Sequence, residues 1–290
     1  MEQKNRANII NRLTSFFENQ TEVAFAFLFG SVSKGAHRAG SDIDVAVYFY
    51  PQSGELEIEE ELYYAAEDRL WGQIVDISGM ETDLVVLNRA PARLTYTVLS
   101  EGLALSIVDR SLYLRVLLST GRLFEEYGEF IESFIEVKAR SGSLSATDKE
   151  RLSRVIDFLE TELGDASQFK NLSYEMYTRD SGLRRNAERW VENLVNASID
   201  AAKVIIASEK QPIPQTYRES LKRLEAIEVF SAPMVECVAG NTRLRNILAH
   251  EYIDIRFRHI ERFINTAEQC YSEFINAVKD FIRIQTTPTR

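Results

Sequence analysis

Apolar residues in the first half of the chain occur both in short continuous runs and at helical spacing. The runs are typical of buried strands, and the spacing of three and four is typical of amphipathic helices. Strands are predicted for 23–29, from Ile43 onward, around Val75 and Ile77, and for 82–87, with a further apolar run at 103–108; helices are predicted for 8–17, 62–71, 91–99 and 112–139. This mixture predicts an α+β domain with a mixed sheet.

The second half has no segment with the two-residue period of a strand. Its pattern is helical, and the breaks fall at Gly or Pro residues such as Gly164, Gly182 and Pro233. A helical bundle is therefore predicted. Small polar residues begin a linker at 141–147, which separates predicted domains at 1–140 and 148–290.

Composition narrows the class of protein. The chain has 290 residues and a net charge of −10, and residues 1–140 hold 22 acidic and 13 basic side chains. It has neither a twenty-residue apolar run nor a signal-like N-terminus, so we expect a cytoplasmic protein with no membrane partner.

The acidic run at 55–61 is expected to be a solvated helix start. Cys237 and Cys270 lack metal-ligand spacing and are expected to be buried thiols without a disulfide.

The segment between the first two strands has the chemistry of a phosphate site. Gly30 permits close approach to the backbone, Ser31 and neighbouring N–H groups can donate to phosphate oxygens, and Lys34 can balance charge. Asp42 and Asp44 follow at spacing two, so both carboxylates share one face of a strand and can hold Mg²⁺. An Asp-rich turn is the alternative, but it leaves unexplained why acids interrupt an apolar strand.

Asp83, the single acid of its apolar run, is the candidate third carboxylate of a two-metal site. The order Gly-Ser, ten residues, Asp-x-Asp and a later Asp resembles the polymerase-beta-type nucleotidyltransferases, and more narrowly the minimal nucleotidyltransferase group. The resemblance implies that ATP and Mg²⁺ are used. It also implies that Asp42, Asp44 and Asp83 hold metal, with Asp83 as ligand or base, and that Gly30 and Ser31 hold triphosphate.

The segment 241–252, NTRLRNILAHEY, is the second candidate site. Histidine and arginine suit RNA cleavage without metal, in which a base takes the 2′-hydroxyl proton and a cation stabilises charge on phosphorus. Arg245 and His250 are five steps apart, about 140° around a regular helix. They meet only if the helix breaks near His250, if Arg245 reaches round, or if a second subunit supplies the partner; a structural histidine at a helix end is the alternative.

Arg245, His250 and Tyr252 resemble the R-x4-H-x-Y signature of HEPN domains, and residues 148–283 resemble the HEPN bundle paired with minimal nucleotidyltransferases in bacterial toxin–antitoxin systems. The resemblance implies a homodimeric ribonuclease, through the HEPN helices, with Arg245 and His250 in its site and RNA as a partner. It implies that AMP from ATP is transferred to Tyr252 to silence the ribonuclease. Here, unusually, both parts lie in one chain, which leaves open whether the second half cleaves RNA.

Other interpretations stay open. The first domain also suits a small-molecule adenylyltransferase of the antibiotic-modifying kind, in which the helical half shapes the acceptor pocket. An idle regulatory module that binds nucleotide or a partner helix is a third possibility. A polar row in the helix predicted at 183–207 is either a solvent face or the lining of a cleft; its members are Arg189, Asn193, Asn196 and Asp200.

Overall fold

The computed structural model describes residues 3–33, 42–140 and 144–286. The chain forms two compact units, Met1–Glu126 and Tyr127–Arg290. The first contains a four-stranded sheet with helices, and the second is helical, as the sequence predicted. None of the helices in the described ranges combines the length and the apolar character that crossing a membrane requires.

The strands of the first unit form one mixed sheet in the order β3-β2-β1-β4. β1 is antiparallel to both β2 and β4, whereas β2 and β3 are parallel. The elements are α1 (Gln3–Phe17), β1 (Val23–Phe29), α2 (Gly30–Ser33), β2 (Ile43–Phe49), α3 (Glu67–Ser78), β3 (Thr82–Val86), α4 (Ala92–Glu101), β4 (Leu103–Ile107) and α5 (Arg110–Ala139).

The apolar runs of β1 and β2 are buried along almost their whole length because they are the central strands of the sheet. One apolar face of α1 packs on the sheet through Leu13 and Phe17, which are fully buried. The predicted strand at Val75 and Ile77 is wrong: both residues lie in α3, where Leu70 and Ile74 form the buried stripe of a helix.

The acidic run at 55–61 is also different from the prediction of a solvated helix start. It precedes α3 without being helical, and Glu57 is 2% exposed. The Glu57 carboxylate accepts hydrogen bonds from the Gln52 N–H (2.7 Å), the Asn88 amide (3.0 Å) and the Tyr64 hydroxyl. These donors come from other segments and offset the desolvation of a buried carboxylate.

The second unit contains the C-terminal part of α5 and seven further helices. They are α6 (Ala146–Gly164), α7 (Tyr174–Arg179), α8 (Ser181–Ser208), α9 (Tyr217–Lys222), α10 (Ala232–Gly240), α11 (Leu244–His250) and α12 (Ile253–Thr286). Single 3₁₀ turns follow α6, α9 and α10. All residues of α8 from 201 to 208 are buried, so this helix forms the centre of the bundle, with α6 and α12 packed beside it.

The division between the units falls within α5, earlier than the predicted linker at 141–147. Tyr127 and Phe130 of α5 pack their rings on Tyr217 of α9, at centroid distances of 5.1 and 5.4 Å. This aromatic cluster assigns the end of α5 to the helical unit. Residues 141–143 of the predicted linker lie outside the described residues, and Ser145 caps α6 by accepting from the Asp148 N–H at 3.1 Å.

Cys237 and Cys270 form a disulfide that joins α10 to α12, so the expectation of two thiols is wrong. Their Cα atoms are 6.2 Å apart although 33 residues separate them in sequence. Only the packing of α10 against α12 brings them within bonding reach, and no local spacing encodes it.

Candidate functional site

Asp44 and Asp83 lie side by side on neighbouring parallel strands. The register of β2 and β3 pairs the Asp44 Cα with the Asp83 Cα. Directly paired residues of adjacent strands point to the same face of a sheet, so both carboxylates face one side. Asp42 immediately precedes β2, and its charge acts on Asp44.

The electrostatics of Asp44 agree with this convergence. The pKa of Asp44 is raised, first because partial burial penalises the charged carboxylate, then because of the negative charges of Asp83 and Asp42. Like charges disfavour ionisation only when they are close. Three acids therefore form one negatively charged cluster at the end of the sheet.

Gly30 lies beside this cluster and has two structural reasons to be glycine. Its φ angle is +70°, a left-handed conformation that other residues adopt at a cost. A Cβ atom at this position would also overlap the Asp44 carboxylate. The turn from β1 into α2 therefore brings the backbone directly against the acidic cluster.

The short helix α2 holds Ser31 on the surface and Val32 in the core. Arg6 of α1 stabilises the end of α2 by donating from Nε to the Val32 carbonyl (2.8 Å) and from Nη2 to the Ser33 carbonyl (2.6 Å). Sequence reasoning missed this role of Arg6. Lys34, predicted to balance phosphate charge, lies outside the described residues.

The donor set fits a hard divalent cation. Carboxylate oxygens are the ligands that Mg²⁺ prefers, and the raised pKa of Asp44 indicates negative charge that a cation would offset. Among the described residues, no group of three or more His, Cys, Asp or Glu side chains is arranged so that it could hold a metal ion by itself. A site shared with the oxygens of a triphosphate does not need such a group, because Mg²⁺ usually keeps waters and substrate phosphates as ligands.

In the second unit, α11 ends at His250. Glu251 is extended, with φ −96° and ψ 163°, and α12 begins at Ile253. The break between helices therefore follows His250 and does not rotate His250 and Arg245 onto one face. Tyr252, in the turn between the helices, is 76% exposed, which leaves its side chain accessible to a modifying enzyme.

Arg245 lies on α11 with its guanidinium over the Tyr217 ring, 4.4 Å from the centroid. Cation–π contact of this kind favours the charged group at that position. Tyr217 is itself fixed by the aromatic cluster with Tyr127 and Phe130. Tyr217 thereby positions Arg245, a role that no sequence motif indicated.

A polar network fixes the turn that carries His250 and Tyr252. Arg256 donates from Nε to the Glu251 carbonyl (2.7 Å) and from Nη1 to Glu188 of α8 (3.3 Å). The Tyr177 hydroxyl donates to the same Glu188 oxygen at 2.5 Å. The pKa of Tyr177 is raised by burial and by this carboxylate. Glu188 thus connects α7, α8 and the start of α12, and Arg256 was not predicted.

The polar row of α8 lines an open groove in which Arg189 and Asp200 are also exposed to solvent. Arg189, Asn193, Asn196 and Asp200 face α6 across a cavity of about 700 Å³. We call this cavity the α6/α8 groove.

These features define the class of protein: a nucleotidyltransferase-type sheet domain joined to a HEPN-type helical bundle in a single chain. The family model for the polymerase beta nucleotidyltransferases matches residues 11–111, and the model for the HepT-like ribonucleases matches residues 127–278. The second match covers more than half of the sequence. The chain therefore belongs to the HepT-like ribonuclease family and carries a polymerase-beta-type nucleotidyltransferase domain before it.

Two curated relatives are nucleases of this kind. The mRNA nuclease HepT of Shewanella oneidensis is 26% identical over 128 residues, which are 44% of this chain and 90% of the relative. The tRNA nuclease HepT of Aphanizomenon flos-aquae is 24% identical over 136 residues, 47% of this chain and 88% of the relative. The combination corresponds to a fusion of the two parts of a nucleotidyltransferase–HEPN toxin–antitoxin pair.

Proposed function

We propose that this protein is an ATP- and Mg²⁺-dependent adenylyltransferase that transfers AMP to Tyr252 and thereby silences the ribonuclease activity of its own helical domain. The observation that carries the proposal is the cluster of Asp42, Asp44 and Asp83 against the Gly30 turn. The exposure of Tyr252, two residues after His250, supports it as the acceptor.

The transfer is a substitution at the α-phosphorus of ATP. The Tyr252 Oη atom forms the new O–P bond, the bond to pyrophosphate breaks, and the tyrosine proton passes to a carboxylate. Asp83 suits the role of base because it is exposed and is paired with Asp44 across two strands. Asp42 and Asp44 would hold Mg²⁺, which when bound offsets charge on the triphosphate and the leaving pyrophosphate.

Gly30 and Ser31 suit the binding of the triphosphate. The lack of a Cβ at residue 30 leaves room for the Asp44 carboxylate against the backbone of the turn. The exposed Ser31 hydroxyl can donate to a phosphate oxygen. Lys34 remains a proposed phosphate contact on the basis of its sequence position.

The helical domain is proposed to cleave RNA, and the nuclease relatives support this. His250 would take the proton of a 2′-hydroxyl, whose oxygen forms a bond to phosphorus as the bond to the 5′-oxygen of the next nucleotide breaks. Arg245 would stabilise the phosphorane charge. Because α11 keeps Arg245 and His250 on different faces, a homodimer through the HEPN helices, with Arg245 of one copy beside His250 of the other, is the proposed active form.

Modification of Tyr252 would block this site in two ways. The added AMP is bulky and negatively charged, and it would lie close in sequence to His250, where the substrate phosphate must bind. Repulsion between the two phosphates and the occupied volume would both oppose RNA binding.

Intact mass spectrometry of the purified chain incubated with ATP and Mg²⁺ tests the proposal. We expect one or more AMP increments, mapped to Tyr252, in the wild type and in the control Tyr63→Phe, which alters a tyrosine that is 71% exposed. The increments should be absent in Tyr252→Phe and in Asp42→Asn/Asp44→Asn. Pyrophosphate release that depends on an added small acceptor, with no change in protein mass, would replace the proposal with small-molecule adenylyl transfer.

A further inference from the structure

The α6/α8 groove has the chemistry of a site for a charged, planar ligand. Three arginines line its sides, Arg151 and Arg154 from α6 and Arg189 from α8. Two acids, Glu150 and Asp200, line the same groove. The Arg154–Glu150 pair (2.5 Å) and the Arg189–Glu192 pair (3.5 Å) are surface ion pairs of little strength, so a phosphate can compete with these carboxylates for the arginines.

An aromatic side chain is exposed in the same groove. Phe158 of α6 is 42% exposed. A phenyl ring presented to solvent between arginines provides a stacking surface for a nucleobase, whereas the arginines suit the phosphates that follow it along a strand.

Two side-chain amides also belong to the lining of the groove. The Asn196 Oδ1 atom is buried and has no hydrogen-bond partner. Asn193 lies one turn before it on the same lining. Because Asn196 Oδ1 is inaccessible from the groove, it is not available to a ligand. The side-chain amide of Asn193 on the same lining can donate to and accept from base edges.

One end of the α6/α8 groove lies where α8 begins. The indole N–H of Trp190 donates to the Glu162 carbonyl at 2.7 Å, which places the start of α8 beside the end of α6. Phe158 and Arg189 therefore lie at the same end of the groove. From Arg189 to Asp200 the lining extends about 16 Å along α8, enough for a few nucleotides.

We propose that the α6/α8 groove binds a single-stranded segment of the RNA substrate, with a base stacked on Phe158 and phosphates held by Arg151, Arg154 and Arg189. This inference rests on the proposed ribonuclease function and adds a substrate-binding surface to it. Arg151 and Arg154 line one wall and Arg189 the other, and the lining continues along α8 beyond Phe158 to Asn193, which favours a strand over a single nucleotide.

Fluorescence anisotropy with a labelled single-stranded RNA of twelve nucleotides tests the proposal. The protein is the full chain carrying Asp44→Asn, which keeps Tyr252 unmodified, and His250→Ala, which prevents cleavage. Phe158→Ala should raise the Kd about ten-fold through the loss of stacking. Arg154→Gln should raise the Kd several-fold and lower the slope of log K against log salt by about 0.7.

Arg283→Gln is the matched control, since Arg283 is 75% exposed, like Arg154 at 76%, pairs with an acid of its own helix, and lies outside the groove. Its Kd should be unchanged. Equal affinities in Phe158→Ala, Arg154→Gln and the control would overturn the proposal. Groove variants that bind RNA normally but sediment as monomers where the control is a dimer would assign the groove to a protein interface instead.

Cleavage by the same groove variants, with His250 restored and Asp44→Asn kept so that Tyr252 stays unmodified, separates the two proposals. If RNA binding depends on the groove residues but the Asp42→Asn/Asp44→Asn chain cleaves no RNA, the groove proposal stands and the ribonuclease proposal is wrong. Cleavage that is unaffected by Phe158→Ala and Arg154→Gln would retain the ribonuclease and remove the groove.

Discussion

Arg256 donates a hydrogen bond from its Nε atom to the main-chain carbonyl of Glu251, at 2.7 Å. This contact fixes the turn between α11 and α12, which carries His250 on one side and Tyr252 on the other. Arg256 contacts neither reacting group in the proposed chemistry, so it acts as a positioning residue. Glu188 holds the other end of its guanidinium.

Arg256→Lys should slow RNA cleavage by roughly ten-fold or more while the bundle stays folded, because lysine keeps the charge but cannot bridge Glu251 and Glu188 as a fork. Cleavage of labelled RNA, measured in chains that also carry Asp44→Asn and so keep Tyr252 unmodified, and circular dichroism provide the two readouts. Arg262→Lys, an exposed position on the same helix, should leave cleavage unchanged. Equal rates for the two variants would show that the turn does not depend on Arg256.

Gly30→Ala should abolish AMP transfer and destabilise the first unit by about 1–3 kcal/mol, through the left-handed φ and the overlap with Asp44. Two other glycines separate the effect of the left-handed φ from the effect of the overlap with Asp44. Gly79 has a positive φ (+64°), but a Cβ added there would meet no other atom. Gly79→Ala should therefore lower the free energy of unfolding by about 1 kcal/mol and retain AMP transfer. Gly128→Ala in α5 has neither feature and should be neutral or slightly stabilising. Transfer activity retained in Gly30→Ala would contradict the close approach of the turn to the carboxylates.

Asp44→Asn should stabilise the metal-free protein at neutral pH although it abolishes AMP transfer. The raised pKa of Asp44 means that folding favours the neutral acid, so its contribution to stability is present below the ordinary value of 3.8 and is lost as pH rises through the folded value. The Tm difference between Asp44→Asn and wild type should therefore be small near pH 3.5 and positive at pH 7. Added Mg²⁺ and ATP should raise the Tm of the wild type and leave the Tm of Asp44→Asn unchanged.

Asp76→Asn, at an exposed position of α3, serves as the control for the loss of one negative charge. It should show the same Tm as the wild type at both pH values. A Tm of Asp44→Asn below that of the wild type at pH 7 would mean that Asp44 makes a stabilising contact in the absence of metal, and that the acidic cluster is not strained by its own charge.

Cys237→Ser/Cys270→Ser should lower the free energy of unfolding by about 2–4 kcal/mol, because the disulfide closes a loop of 33 residues between α10 and α12. Thermal denaturation with and without dithiothreitol measures this. The reductant should lower the Tm of the wild type to that of the double variant and leave the double variant unchanged. A reductant-insensitive wild type would mean that the bond does not stabilise the bundle.

Part of the first site could be predicted because its signals are local. The limits of β1 follow from a continuous apolar run between polar residues, and the Asp-x-Asp spacing brings Asp42 and Asp44 together where β2 begins. The mistaken strand at Val75 and Ile77 shows the limit of this reasoning. Two apolar residues at spacing two suit a strand or a helix equally, and only longer context decides between them.

The sequence by itself determined the α+β and all-α halves, the spacing of Asp42 and Asp44, and the presence of Arg245, His250 and Tyr252 in one segment. Only the tertiary structure decided that Asp83 pairs with Asp44, that Glu57 is buried, and that Cys237 bonds to Cys270. It also assigned the polar row of α8 to the α6/α8 groove. The physical reason is range: the side chain pattern sets the local backbone, whereas strand register and helix packing bring together residues whose separation along the chain encodes no contact.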